Sequence, residues 1–352
     1  MPSNSSNHRG GAVYGVGTHK PGDPIREKNK RMRRTIIAVL AIVGALVCAS
    51  VAWAASINKS LSMGEERKEL AETLAGLKDA YPESGSDAFY VLLVGSDSTD
   101  GDEASRGDAL MLARVDADAQ TVTLVSIPSD TLVMMEGASE GEPLSASLSN
   151  GGASMAVNEV SRFAGVPVSH YIEIDRSGIE RVVDTLGGIW VNLPRSLALD
   201  DVVLESGPQL IDGATALEFV HAYHRGNGAA SEAYSLIVQA VIRQTLQASP
   251  LEMPSLVSSL AACVSTDYSA TNLVSLSLGF PGGNITVYSA DCPSHEFERD
   301  GVRYSSTLLP AWHTMMQRVD AGLDPNDSSS EIPEPQASNE MLGGGVNASP
   351  EE

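Results

Sequence analysis

Three apolar runs follow one another closely in this chain: Phe89–Val94, Ala109–Val115 and Thr121–Ser126. Each is strand-length and bounded by Gly, Pro or Asp, so the stretch from Phe89 to Thr131 predicts buried central strands of one sheet. The first run breaks at Gly95 into Ser96–Asp97–Ser98, and a polar, acidic loop then ends in Arg106–Gly107–Asp108. The third closes on Ile127–Pro128–Ser129–Asp130–Thr131. Polar residues therefore fall at strand ends, where open α/β sheets hold their ligands. Asp97, Arg106, Asp108 and Asp130 share that address.

Charge divides the chain sharply. Residues 1–34 hold eight Lys/Arg against two Asp/Glu, leaving fifteen against forty-three for the remainder. An acidic body argues against nucleic acid, whose phosphates need a basic face. Between head and body lie twenty-three uncharged residues, Thr35–Ile57. At ~1.5 Å per residue they suffice to cross a hydrocarbon core of roughly 30 Å. Arg26, Lys28, Lys30, Arg31, Arg33 and Arg34 immediately precede them. The positive-inside tendency then predicts a single-pass cell-membrane protein with a cytoplasmic N-terminus and an extracellular main domain. A cleaved signal peptide ending near Ala52, Ala54 and Ala55 is the rival reading. The long basic preamble and the length of the run favour an uncleaved signal anchor.

The expected organisation is a disordered basic tail (1–34), a transmembrane anchor (35–57), a stalk helix and linker (58–87), an α/β domain (88–321) and a disordered acidic tail (322–352). Within the domain, helices are predicted at Gly152–Ala164, Arg176–Leu186, Gly213–Val220, Glu232–Ala248, Leu251–Cys263, Ala270–Leu278 and Ser305–Val319. Strands are predicted at His170–Ile174, Ile189–Leu193 and Ile285–Ser289, and the alternation favours a layered α/β fold with a central mixed sheet flanked by helices. Cys263 and Cys292 lie outside the apolar run and either form a disulfide or stay as two buried thiols. No Cys or His spacing suggests zinc.

The ordered series VLLVGSDS, R-G-D, LVSIPSDT, HYIEID, DTLGG with IWVNLP, and LIDGATALEFVHAY resembles the LytR–CpsA–Psr family, in register from about residue 88 to 250. The resemblance implies an extracellular α/β domain of the kind that transfers glycopolymers from a polyprenyl pyrophosphate carrier onto peptidoglycan. It also implies a magnesium ion held by acidic residues, arginines that clamp the phosphates, and an apolar tunnel for the lipid. Magnesium takes oxygen ligands and shares them with phosphate, and guanidinium groups bind phosphate oxygens in two-pronged fashion.

Carried over position by position, the pattern is mixed. Asp97 stands at the acid of the G-S-D motif, and Arg106 and Asp108 at R-x-D, giving Asp97 and Asp108 as magnesium ligands and Arg106 as the catalytic, phosphate-binding arginine. Asp130 matches the acid of I-P-R-D-T, but Ser129 replaces the arginine before it. The paired arginines fall at His221 and Tyr223, and G-R-x-x-R-Q reads Ala233, Tyr234, Ser235, Leu236, Ile237, Val238. A K-I-N-H segment has no counterpart in Leu144–Asn150. Arg225 and His224, off any family position, are candidates to restore part of the phosphate clamp.

Each of these residues also has a plainer reading. Asp97 and Asp108 suit a turn and a strand start, Arg106 an ion pair with either, and Asp130 a turn that bonds its own backbone. His221 reads as a buried histidine on a strand, and Tyr223 and Tyr234 as core aromatics. Two functions stay open. One is a phosphotransferase moving polyprenyl-linked glycan onto the wall. The other is a degenerate relative that binds lipid-linked glycan, peptidoglycan or a partner enzyme without turnover.

Overall fold

The computed structural model describes residues 66–81, 87–96, 107–199, 203–225, 230–249, 251–280 and 285–344. In chain order the elements are α1 (Glu66–Ala80), β1 (Phe89–Ser96), β2 (Gly107–Asp116), β3 (Thr121–Ile127), β4 (Leu132–Val133), β5 (Glu142–Pro143), α2 (Ala146–Ala164), β6 (Val168–Ile174), α3 (Arg176–Thr185), β7 (Ile189–Leu193), β8 (Leu197–Ala198), β9 (Val203–Leu204) and β10 (Gly207–Ile211). They continue with α4 (Gly213–Arg225), α5 (Ala230–Leu246), α6 (Met253–Ala261), β11 (Ser265–Thr266), α7 (Ala270–Leu278), β12 (Thr286–Asp291), β13 (Ser294–Arg299), β14 (Val302–Thr307), α8 (Leu309–Asp320) and the short α9 (Glu334–Ala337).

The three apolar runs form the middle of a six-stranded mixed sheet, ordered β11-β6-β1-β2-β3-β12. β1 pairs antiparallel with β2 and parallel with β6, and β3 pairs parallel with β12. Side chains alternate across a strand, and on β1 both faces are buried. Tyr90, Leu92 and Val94 enter one core with α1, α2 and α8, while Val91 and its neighbour Leu93 pack into the other with α3, α4 and α5. Continuous apolar runs, rather than alternating ones, are what a doubly covered strand requires.

Several expectations change once the chain is folded. The helix taken for a stalk is, over Glu66–Ala80, part of the domain: Leu70, Leu74 and Leu77 make a one-sided stripe that is buried in the first core. β10, where no strand is predicted, pairs with β7 from Gly207↔Leu193 to Ile211↔Ile189. His221 lies on a helix, not a strand, because α4 runs on to Arg225. A β13–β14 hairpin precedes the last long helix, which starts at Leu309 instead of Ser305. The predicted helix at Ala270–Leu278 is found as expected, and Asp175 caps α3, its carboxylate accepting from Gly178 N–H.

The acidic tail is the largest correction. Residues 322–344 are held against the domain at specific points, although many of their side chains are exposed. The buried Arg318 guanidinium donates to the Asp324 and Ser330 carbonyls and to the Ser330 hydroxyl. Gly343 N–H donates to the Ala164 carbonyl, His313 meets the Leu342 carbonyl, and Leu342 itself is 1% exposed in the first core. Composition missed this because backbone hydrogen bonds and one leucine hold the segment, not a run of apolar residues. The basic tail and the apolar run Thr35–Ile57 lie outside the described residues; among those described, no helix is long and apolar enough to cross a membrane.

Cys263 and Cys292 are free, separately buried thiols. Cys263 precedes β11 and Cys292 follows β12, the two edge strands. At ~4.8 Å per strand those edges are roughly 24 Å apart, against the ~7 Å limit for bridged Cα atoms. Burial pushes the Cys292 thiol up to about 12, partly offset by its contact with the Thr307 hydroxyl.

Two outcomes are expected. Leu342→Ala should lower unfolding stability by about 2–5 kcal/mol in denaturant titration, as for other buried leucines; a solvated tail would make it neutral. Peptide mapping without reductant should find no Cys263–Cys292 linkage, and alkylation of Cys292 should require unfolding. A linked peptide from native protein would contradict the topology.

Candidate functional site

The described backbone on either side of the acidic loop comes together. Ser96, the last residue of β1, is paired with Gly107, and Gly95 with Ala109, so Asp108 is the extra residue of a β-bulge at the start of β2. Bulges of this kind re-aim side chains beside binding sites. Residues 97–106, Asp97 and Arg106 among them, lie outside the described residues, as does the Asp108 side chain. Their flanks, Ser96 and Gly107, are nonetheless neighbours at one end of the sheet. Asp130 stands at the same end, three residues past Ile127, which pairs with Leu110 of β2.

Asp130 is half-buried in a tight turn. Thr131 donates through its N–H and hydroxyl to the Pro128 carbonyl at 3.0 and 2.7 Å, and Ser305 N–H of β14 donates to the Asp130 carbonyl at 3.0 Å. The turn therefore fixes the Asp130 backbone, and its carboxylate makes no hydrogen bond or ion pair among the described residues. Arg225 is the last residue of α4, with four residues between it and the start of α5. Its side chain is not among those described.

α5 closes the second face of the sheet. Tyr234, in its first turns, lies against Gly95: a Cβ at that glycine would fall 2.4 Å from the Tyr234 ring. Tyr234 is buried and, with Ile237, lines a cavity of 340 Å³. The sheet contributes Val91, Leu93 and Met111, and α5 contributes Val238, Val241 and Ile242. One end of this apolar space thus abuts the acidic strand ends. The helix turns down the sheet from there, and Gln244 near its far end donates to the Leu186 and Gly188 carbonyls at 3.0 and 2.7 Å.

Two basic residues that the sequence reading passed over belong to the same region. Arg195, between β7 and β8, reaches within 3.7 Å of Glu232 in the first turn of α5. Arg176 opens α3 two residues after Ile174, whose strand partner is Gly95. No motif announces either, because the contact between the β7–β8 loop and α5 exists only in three dimensions. Asp291, the last residue of β12 opposite Ser126, is a third member of this end of the sheet. Desolvation raises its carboxyl above the ordinary value, and the Ser126 hydroxyl partly offsets the rise.

A sequence profile of the LytR_cpsA_psr family matches residues 49–318. The chain belongs to the LytR_cpsA_psr family. Curated relatives include polyisoprenyl-teichoic acid–peptidoglycan teichoic acid transferases TagU. The Halalkalibacterium halodurans protein is 27% identical over 62% of this chain and 75% of its own length. The Bacillus subtilis protein is 28% identical over 62% and 72%, and that of Enterococcus faecalis 26% over 76% and 88%. Among solved structures, a Streptococcus agalactiae protein superposes with TM-score 0.59 at 18% identity, covering 73% of this chain and 93% of its own. TagT bound to LI-WTA superposes with TM-score 0.51 at 22% identity, covering 64% and 87%. At these identities the superpositions establish the mixed, helix-flanked sheet as the family fold.

Gly95→Ala should cost about 1–3 kcal/mol, because its methyl must push into a buried ring. In a Tyr234→Ala background the same change should cost under about 1 kcal/mol. Equal costs in both backgrounds, read by thermal or denaturant unfolding, would mean that Tyr234 does not rest on Gly95.

Proposed function

We propose that this chain is a membrane-anchored cell-envelope protein that seats a polyprenyl-pyrophosphate-linked glycopolymer and passes it to peptidoglycan. The observation that carries the reading is the apolar cavity under α5, whose Gly95 end abuts the acidic strand ends. Such a shape suits an amphiphile with its hydrocarbon under the helix and its charged head among polar side chains. The anchor would be Thr35–Ile57, its basic flank on the cytoplasmic side, with the domain outside.

The donor chemistry fits magnesium. Asp97 and Asp108 flank the paired residues Ser96 and Gly107, and hard divalent cations prefer carboxylate oxygens shared with phosphate. When bound there, the ion would neutralise pyrophosphate charge as a Lewis acid. The chain's own residues would do the rest. Arg106 would hold phosphate oxygens through charge-assisted hydrogen bonds, with Asp130 and Arg225 at the rim of the same end. The α5 side chains exclude water from the hydrocarbon. Tyr234 fixes where the cavity stops and the polar end begins.

One observation favours a second reading, binding without turnover. Tyr234 falls where the family pattern has an arginine, and its ring rests on Gly95 beside the acidic strand ends. A phenol there supplies no cation to the phosphates.

Binding of a polyprenyl pyrophosphate to the full-length protein in detergent, with and without magnesium, tests the site. Binding should depend on magnesium and fall at least tenfold in an Asp97→Ala, Asp108→Ala variant, the loss of about 1.4 kcal/mol or more. Binding indifferent to both, or no binding, would sink the proposed site. Transfer to peptidoglycan in a subsequent assay separates the enzyme from the binder.

A further inference from the structure

The cavity under α5 is not uniformly apolar. Thr245 and Tyr268 line it, and both hydroxyls are buried with no hydrogen-bond partner among the described residues. A helical threonine ordinarily has the carbonyl one turn back to bond; Thr245 leaves it. Tyr268 is 5% exposed and held rigidly: its ring stacks on His170 at 3.8 Å, and its N–H donates to the Thr266 hydroxyl. His170 is fixed in turn by Asp267, Nδ1 to carboxylate at 2.7 Å. The phenol cannot swing away to find a partner. Burial raises its pKa, so it stays a neutral donor.

Both hydroxyls lie deep. His170 pairs with Val91, four residues from Gly95, or roughly 13 Å down the strand. Thr245 is eleven residues along α5 from Tyr234, or roughly 16 Å. The polar headgroup of an amphiphile seated at the Gly95 end cannot reach them; only its chain can. A trapped water needs two or more polar partners, and the Thr266 and Ser277 hydroxyls that also line the cavity already donate to the Tyr171 and Val274 carbonyls. A saturated alkyl chain offers a hydroxyl nothing. A polyisoprenoid carries a double bond in every repeat, and its π electrons accept weak hydrogen bonds.

We propose that Tyr268 and Thr245 are specificity-determining residues that make the cavity prefer an unsaturated polyisoprenoid chain to a saturated chain of the same length. The inference rests on the lipid-binding reading above and adds to it the choice of chain.

The test compares a polyprenyl phosphate with its fully hydrogenated counterpart on the full-length protein in detergent. The unsaturated lipid should bind roughly fivefold tighter. Tyr268→Phe and Thr245→Val should each reduce that ratio, and the double variant should bring it near one. A purely structural role predicts the reverse for stability, so melting is a second readout. Removing an unsatisfied buried hydroxyl should leave the lipid-free Tm unchanged or raised, and Thr245→Val, which keeps the side-chain shape, reports even if Tyr268→Phe perturbs packing. Equal binding of the two lipids, or a preference that survives in the double variant, overturns the proposal while leaving the lipid-binding reading standing. Failure of both lipids to bind removes the two together.

Discussion

The whole arrangement depends on β1 being buried on both faces. A strand with one wet face needs only one layer of helices, whereas β1 sends Tyr90, Leu92 and Val94 one way and Val91 and Leu93 the other. Two cores must therefore be built against it. The first is furnished by α1, α2, α8 and the packed C-terminal segment. A polar network, Tyr90 hydroxyl to Asp320 carboxylate at 2.9 Å, ties α8 to the strand. The second is furnished by α3, α4 and α5, and it is incompletely filled: the space left between sheet and α5 is the cavity. Structural solidity on one face and a ligand-sized void on the other follow from the same strand.

Much of this was legible because burial on both faces writes itself as continuous apolar runs. The three central strands and the helix Ala270–Leu278 were visible in residue order. What stayed hidden depends on partners distant in sequence. Leu70, Leu74 and Leu77 form a stripe that reads equally well as a free stalk or as a docked helix. Residues 322–344 have the composition of a solvated tail, and partners on other elements, among them Arg318, His313, Gln317 and Ala164, hold them down. The Cys263–Cys292 question was likewise unanswerable without knowing that each lies at an opposite edge of the sheet.

The site shows the same division. The sequence named Asp97, Arg106, Asp108 and Asp130, and backbone pairing brings the described residues Ser96 and Gly107, and the turn that carries Asp130, to one end of the sheet. It also flagged Tyr234 as standing where an arginine would be expected. It could not say that the ring rests on Gly95, that Arg195 sits 3.7 Å from Glu232 at the start of the same helix, or that two hydroxyls deep in the cavity have no partner among the described residues. Local motifs encode which side chains are available; only packing decides what each one meets.

Charge balance then constrains the proposed chemistry. Two carboxylates facing a pyrophosphate repel it, and a body with fifteen basic and forty-three acidic residues adds to the repulsion. A complete arginine clamp would offset that, each charge-assisted hydrogen bond being worth about 1.5–3 kcal/mol. With Ser129, His221, Tyr223 and Tyr234 at clamp positions, most of that contribution is gone. Under the proposed reading, affinity for a lipid pyrophosphate would then lean on two remaining terms: a divalent cation held by the carboxylates, and burial of the hydrocarbon. The second is large, at about 0.8 kcal/mol for each CH₂ taken out of water. A few isoprene units under α5 can outweigh several lost arginines in binding. They cannot replace them in stabilising charge that develops during phosphoryl transfer, because hydrocarbon contacts are the same before and during the reaction. Loss of the clamp should therefore weaken turnover far more than it weakens capture of the lipid.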